Sequence, residues 1–308
     1  MKNGILQHKS TIEKLCYFIG LCLLSKLFFT FISFNLSSLI FDTNLFNQTE
    51  NIILTNANNI RAYKLASILD QLGTFLIPAL FFAKLISNKP NDLWLFNRIN
   101  KQQITLLLPL LIIVVTVSNL LLLLNHNIDI SFLSPNLEKA INDSQRSIDS
   151  IHNAFIGISL KSYFLNVFIM AIVPAICEEL VFRGVLQNLL CKWVKNLHIG
   201  IFISTMIFSL LHFQFYNISA LIFIGFTFSY IVALTGSIWI TIILHFLFNF
   251  YSLTNIYLIK RGIIKVEEWS ISIWTLLVIT TLLCTYFIYI KLKKSNYLDR
   301  MKMIYEKK

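Results

Sequence analysis

Long apolar runs dominate this chain and leave it few folds to choose from. Eight stretches are apolar over most of their length, at roughly Ile12–Phe34, Leu65–Ile86, Ile104–Leu124, Tyr163–Leu190, Ile199–Phe215, Ile218–Leu234, Ile238–Ile259 and Ile271–Ile290. A helix crosses a bilayer in about 17–25 residues, so each run is a candidate span. Charged residues make up only 13% of the 308 residues, about half the share of a soluble domain. A water-soluble fold of this length would lack polar surface. Open strands cannot satisfy their backbone groups in lipid. The expected fold class is therefore all-α, a polytopic membrane helix bundle with about eight transmembrane helices.

The expected organisation has three parts. Residues 1–160 carry about three spans and a polar loop. Residues 161–260 hold a helical core with the chemistry, and residues 261–308 hold the last span and a basic tail. The loop from Asn125 to Ser159 is the longest, and Asn136 to Ser150 reads as a short surface helix. Leu137, Ala140, Ile141 and Ile148 give that helix a weak apolar stripe. The first apolar run is longer than a signal-peptide core and is followed by no small-residue cleavage site, so it reads as a retained span.

The net charge of +11 could suggest nucleic acid, but the basic residues sit beside the spans, as the positive-inside rule predicts. Lys2, Lys9 and Lys14 precede or open span one, and Lys84, Lys89, Arg98 and Lys101 lie at or between the ends of spans two and three. Lys192 and Lys195 follow span four, and Lys291 to Lys308 form a tail. With eight spans these share one side. Both termini are then cytoplasmic, with a bacterial plasma membrane the expected location and no nucleic-acid partner. Lys260, Arg261 and Lys265 fall on the other side. Trp94, Trp193, Trp239, Trp269 and Trp274 lie near span ends, as an aromatic belt does. The five cysteines show no paired spacing and read as small buried residues.

Span four carries the chemistry. Glu178, Glu179 and Arg183 lie in an otherwise apolar stretch, and each charge at a helix centre costs about 2.5–3.5 kcal/mol to insert. Such residues normally face protein and mark a function. Glu179 and Arg183 are spaced i, i+4 and share an α-helical face, so they form a pair. Glu178 is rotated about 100° away. A carboxylate left open in a low-dielectric place gains proton affinity, which suits a general base. Pro174 removes one helical hydrogen bond and releases the carbonyl of Met170, which predicts a kink. Asp70 with Gln71 puts polar groups in span two, which either face a cavity or pair with a basic residue on another helix; a structural role is the favoured reading.

Span five contributes His212, one turn after Phe208, and span seven contributes His245 and Asn249, spaced i, i+4. A single histidine in a helix is usually a packed core residue. Two of them, an amide and a carboxylate pair within about 70 residues on neighbouring helices point instead to one site. Peptide hydrolysis needs a base for water, donors for the oxyanion and an acid for the leaving amine. By helical rise, Glu178 lies about 18 Å and His212 about 20 Å into their spans, and His245 only about 10 Å into its own. Convergence therefore requires an earlier start to span seven or mutual tilt.

Three motifs stand in order: Glu178-Glu179-x-x-x-Arg183-Gly184, then Phe208-x-x-x-His212, then His245-x-x-x-Asn249, the last led in by Thr235-Gly236-Ser237. This set resembles the CPBP family, the CAAX prenyl endopeptidases and bacterial bacteriocin-processing or immunity proteins. The resemblance covers about Val173 to Ser252. It implies an intramembrane endopeptidase with Glu178 as catalytic glutamate, His212 and His245 as catalytic histidines, and Asn249 as the asparagine. Eukaryotic members remove the last three residues of prenylated CAAX proteins, so a membrane-associated peptide or protein, prenylated or not, is the implied partner beside the lipid bilayer.

The metal question stays open between two readings. Zinc or another divalent metal would take His212, His245 and a glutamate as ligands, yet the HExxH helix is missing. The metal-free reading uses Glu178 as base and the imidazoles with Asn249 around the oxyanion. A non-catalytic immunity or scaffold protein on the same bundle is one alternative to the protease. An ion-coupled transporter is a weaker one, because no inverted repeat or matched broken helices are visible.

Overall fold

The computed structural model describes residues 4–45, 56–87, 97–126, 134–265 and 271–293. Lys2, Lys89, Trp94, Trp269 and the tail from Lys294 to Lys308 lie outside the described residues, as do the side chains of Leu137 and Trp274. The expected fold class holds: the described residues are helical throughout the bundle, with no strand among them.

The helices are α1 Thr11–Phe41, α2 Ala57–Ile86, α3 Lys101–His126, α4 Pro135–Phe155, α5 Leu160–Val194, α6 Leu197–Leu210, α7 Ile218–Thr235, α8 Ile238–Lys260 and α9 Ile271–Lys293. Six are long and apolar enough to cross a membrane, namely α1, α2, α3, α5, α8 and the Phe215–Thr235 stretch that contains α7. The other two expected spans are shorter apolar helices, Leu197–Leu210 and Leu276–Lys291. The chain is an integral, multi-pass membrane protein.

Helix ends follow local chemistry. Ser10 and Glu13 form a capping box at the start of α1, which supplies two of the otherwise unsatisfied terminal N–H groups. Asn56 caps α2 through its side chain, so this helix starts well before the expected Leu65. The α4 helix is longer than expected, beginning with Pro135 in its first turn, where the missing N–H is harmless.

Two prolines reshape the helices that contain them. Before Pro78, the N–H of Ile77 bonds to the carbonyl of Leu72. Before Pro174, the N–H of Val173 bonds to the carbonyl of Phe168. Both are i→i−5 bonds, and the segments Leu72–Leu76 and Phe168–Ile172 are π-helical. A proline ring clashes with the carbonyl four residues back. A turn one residue wider carries that carbonyl aside. At Pro174 the lost hydrogen bond is accommodated by this π turn.

The chain divides into two compact units. The first takes residues 1–90, 130–181 and 249–264. In it α1 packs along α2, and Gly73 lies so close to Phe29 that a Cβ there would meet the ring at 2.0 Å. Asp70 accepts from Lys26 Nζ at 2.6 Å and from Thr30 Oγ1 at 2.6 Å, a pairing with a basic residue on another helix, one of the two arrangements expected for it. The last turn of α4 is closed by donors from three elements. Lys64 Nζ and Asn166 Nδ2 donate to the carbonyl of Phe155 at 2.7 and 2.6 Å. Lys260 Nζ donates to the carbonyl of Ile156 at 3.1 Å, and Arg261 lies over the Tyr257 ring. Cations suit a helix C-terminus. This explains Lys260 and Arg261 on the side that the positive-inside rule disfavours: they serve protein contacts.

Lys64 is buried at 7% exposure, and a hydrogen bond from a charged donor contributes about 1.5–3 kcal/mol. Lys64→Met should lower stability by about that amount, read from thermal unfolding in detergent. An unchanged midpoint would show that Asn166 closes the helix end alone.

The second unit takes residues 91–129, 182–248 and 265–308. Its core joins α3, α7 and α8 through Leu106, Leu110, Val114, Ile224, Phe228, Ile231, Ile240 and Leu244. Gly236 ends α7 in the left-handed region at φ 64, where glycine carries no Cβ penalty. Asn97 Nδ2 donates to the Gly236 carbonyl at 2.6 Å, and Ser237 Oγ donates to the Asn97 carbonyl at 2.7 Å. The Thr235-Gly236-Ser237 lead-in is thus a locked turn that fixes where α8 begins.

Candidate active site

Each unit holds part of the motif set. Glu178, Glu179 and Asn249 belong to the first, and Arg183, His212 and His245 to the second.

In the first unit, the stretch Val173–Glu179 of α5 packs on α2. Glu179 is fully buried at 0% exposure, whereas Glu178 is half-buried. The two adjacent carboxylates thus differ in burial, although Glu178 Oε2 is itself a buried atom. Glu178 Oε1 accepts from Gln71 Nε2 at 2.9 Å. Asn249 is half-buried on α8.

The helix after Glu179 changes character. Leu180–Leu186 is π-helical and contains Arg183. No proline follows it, and nothing in the sequence marks it. Wide turns of this kind recur at functional sites. The i, i+4 face argument assumes α geometry, so its α-helical basis ends at Glu179.

In the second unit, Arg183 is the largest fully buried side chain, at 1% exposure. Its guanidinium lies over the Phe208 ring at 4.4 Å and over the Phe228 ring at 5.6 Å. A desolvated cation over aromatic faces gains about 2 kcal/mol. Nη2 also donates to the Gly225 carbonyl at 3.4 Å. Gly225 is needed there, because a Cβ would meet Thr205 at 2.8 Å. Small residues let membrane helices approach this closely.

The same two phenylalanines flank the histidines. The Phe208 and His212 ring centroids lie 4.6 Å apart, and those of Phe228 and His245 5.7 Å apart. The second unit therefore groups His212, Arg183 and His245 around Phe208 and Phe228. Phe208 was visible in its motif. Phe228 carried no signal beyond being apolar. His245 is buried at 7% exposure and sits in α8, which starts at Ile238 and no earlier.

His212 is placed differently from expectation. The α6 helix ends at Leu210, and Phe213 takes the left-handed φ of 52 that turns the chain. His212 thus lies just beyond the helix and not inside a span to Phe215. Its Nδ1 is 2.7 Å from the Phe208 carbonyl. A carbonyl oxygen only accepts, so Nδ1 carries the hydrogen. In the neutral ring Nε2 is then the lone-pair nitrogen, suited to take a proton, and it donates only after the ring is protonated.

Residues 160–251 match the family model described as Rce1-like, type II CAAX prenyl endopeptidase Rce1-like. This segment is Rce1-like. The match bears out the resemblance drawn from the three motifs, and all six singled-out residues lie within it. The matched stretch covers less than a third of the 308 residues, and what it shares with CAAX prenyl endopeptidases is a likeness of this segment. No curated protein and no solved structure matches the chain.

Among the described residues, no three or more His, Cys, Asp or Glu side chains come together in a group able to hold a metal ion.

Proposed function

We propose that the chain is an intramembrane endopeptidase that cuts a hydrophobic or lipidated, membrane-associated peptide through water activated by Glu178. The supporting observation is the Rce1-like match across all six residues. Glu178 takes a proton from water, and the hydroxide forms a bond to the scissile carbonyl carbon. Asn249 and the imidazoles stabilise the oxyanion, with His212 donating from Nε2 in the state where solvent has protonated its ring, a proton it keeps through the step. The C–N bond then breaks, and the amine leaves with the proton that Glu178 holds. Glu179 and Arg183 brace the segment. Both termini are cytoplasmic in this reading, and the membrane is a bacterial plasma membrane.

The direct test uses the full chain in lipid nanodiscs with a farnesylated peptide ending in a CAAX sequence. Release of the last three residues is expected. Added chelator should leave the rate unchanged. Loss of activity with chelator and recovery with zinc alone would contradict the metal-free chemistry. A wild type that leaves the peptide uncut would remove the CAAX-type substrate from the reading.

A further inference from the structure

We propose that Gln71, on α2 and outside the Rce1-like segment, is a positioning residue that holds the Glu178 carboxylate for its reaction with water. The inference rests on Glu178 being the base. Gln71 Nε2 donates to Glu178 Oε1 at 2.9 Å across 107 positions of sequence. Gln71 is the last residue before the π turn Leu72–Leu76. That turn packs against Val173–Glu179 of α5, which itself follows the π turn Phe168–Ile172. Each proline-linked wide turn thus packs on the α-helical stretch of the other helix, Leu72–Leu76 on Val173–Glu179 and Phe168–Ile172 on Ala57–Gln71.

The geometry separates two adjacent polar residues by task. Asp70 turns to α1 and is held by Lys26 and Thr30. Gln71 turns to α5. An amide in an apolar span costs several kcal/mol if left without a partner, so its placement at a carboxylate is a defined contact. One oxygen of Glu178 is fixed by the amide, which sets the rotamer and aims the carboxylate. A base held in one orientation reacts faster than one that samples several.

The test is a double-mutant cycle on the full chain in nanodiscs, with the farnesylated CAAX-type peptide as probe. Gln71→Met keeps the length and removes the donor. It should lower kcat about tenfold and leave KM unchanged. In a Glu178→Asp background, where the carboxylate is drawn back, the same change should have little further effect. Gln71→Leu also removes the donor without adding a charge beside Glu178, and gives the same result if the Met variant folds poorly. An equal loss in both backgrounds, or no loss, overturns the inference. If Glu178→Gln stays active, the base reading falls and Gln71 falls with it. If Glu178→Gln is inactive and Gln71→Met behaves as wild type, only the Gln71 inference falls. Infrared spectra provide an arm free of substrate: the carboxylate band assigned by its loss in Glu178→Gln should shift in Gln71→Met. An unmoved band means that Gln71 does not hold Glu178.

Discussion

Glu178→Gln is expected to lower kcat by about 10²–10⁴-fold, the usual contribution of a positioned general base. The substitution keeps the shape of the side chain, and its carbonyl oxygen still accepts from Gln71. Only the proton-accepting function is lost. KM and the unfolding midpoint should therefore stay close to wild type. Glu178 is half-buried, so the exchange leaves no cavity. Retained kcat in Glu178→Gln would mean that water is activated elsewhere or that the bundle does not catalyse.

Arg183→Ala is the second large effect, and it acts on the fold. Truncating a fully buried side chain of this size opens a cavity, and comparable core truncations cost about 3–5 kcal/mol. The guanidinium also leaves the Phe208 and Phe228 faces, and the Gly225 carbonyl loses its donor. Those phenylalanines flank His212 and His245, so activity should fall together with stability. Arg183→Lys keeps the charge but not the flat group that stacks on a ring, and it should fall between the two. The measurement is chemical unfolding in detergent followed by tryptophan fluorescence. A loss for Arg183→Ala smaller than that of Lys64→Met would contradict the stacking account.

The sequence revealed most where the physics is local. Apolar length predicted the helices, and charges stranded in lipid singled out Glu178, Glu179 and Arg183. The i, i+4 spacing of His245 and Asn249 falls within one helix, as expected. What escaped depends on contacts between distant segments. Gln71 was noticed with Asp70 as polar groups in a span, but only packing of α2 on α5 gives it Glu178 as a partner. Lys64 carries no signal in the sequence, and Lys260 only falls on the disfavoured side, until the end of α4 is placed beside them. Leu211, Phe213 and Phe215 continue an apolar pattern that extends the expected span beyond α6, whereas Phe213 turns the chain. The π segment at Arg183 has no proline to announce it.

The most direct measurement compares membranes that carry the wild type, Glu178→Ala, or no copy of the chain, with peptide termini identified by mass spectrometry. Termini that appear with the wild type, and that are missing in both of the others, are the predicted result. Identical termini in all three, with the Glu178→Ala protein folded and present at wild-type amounts, would contradict proteolysis and favour a binding or immunity role for the same bundle.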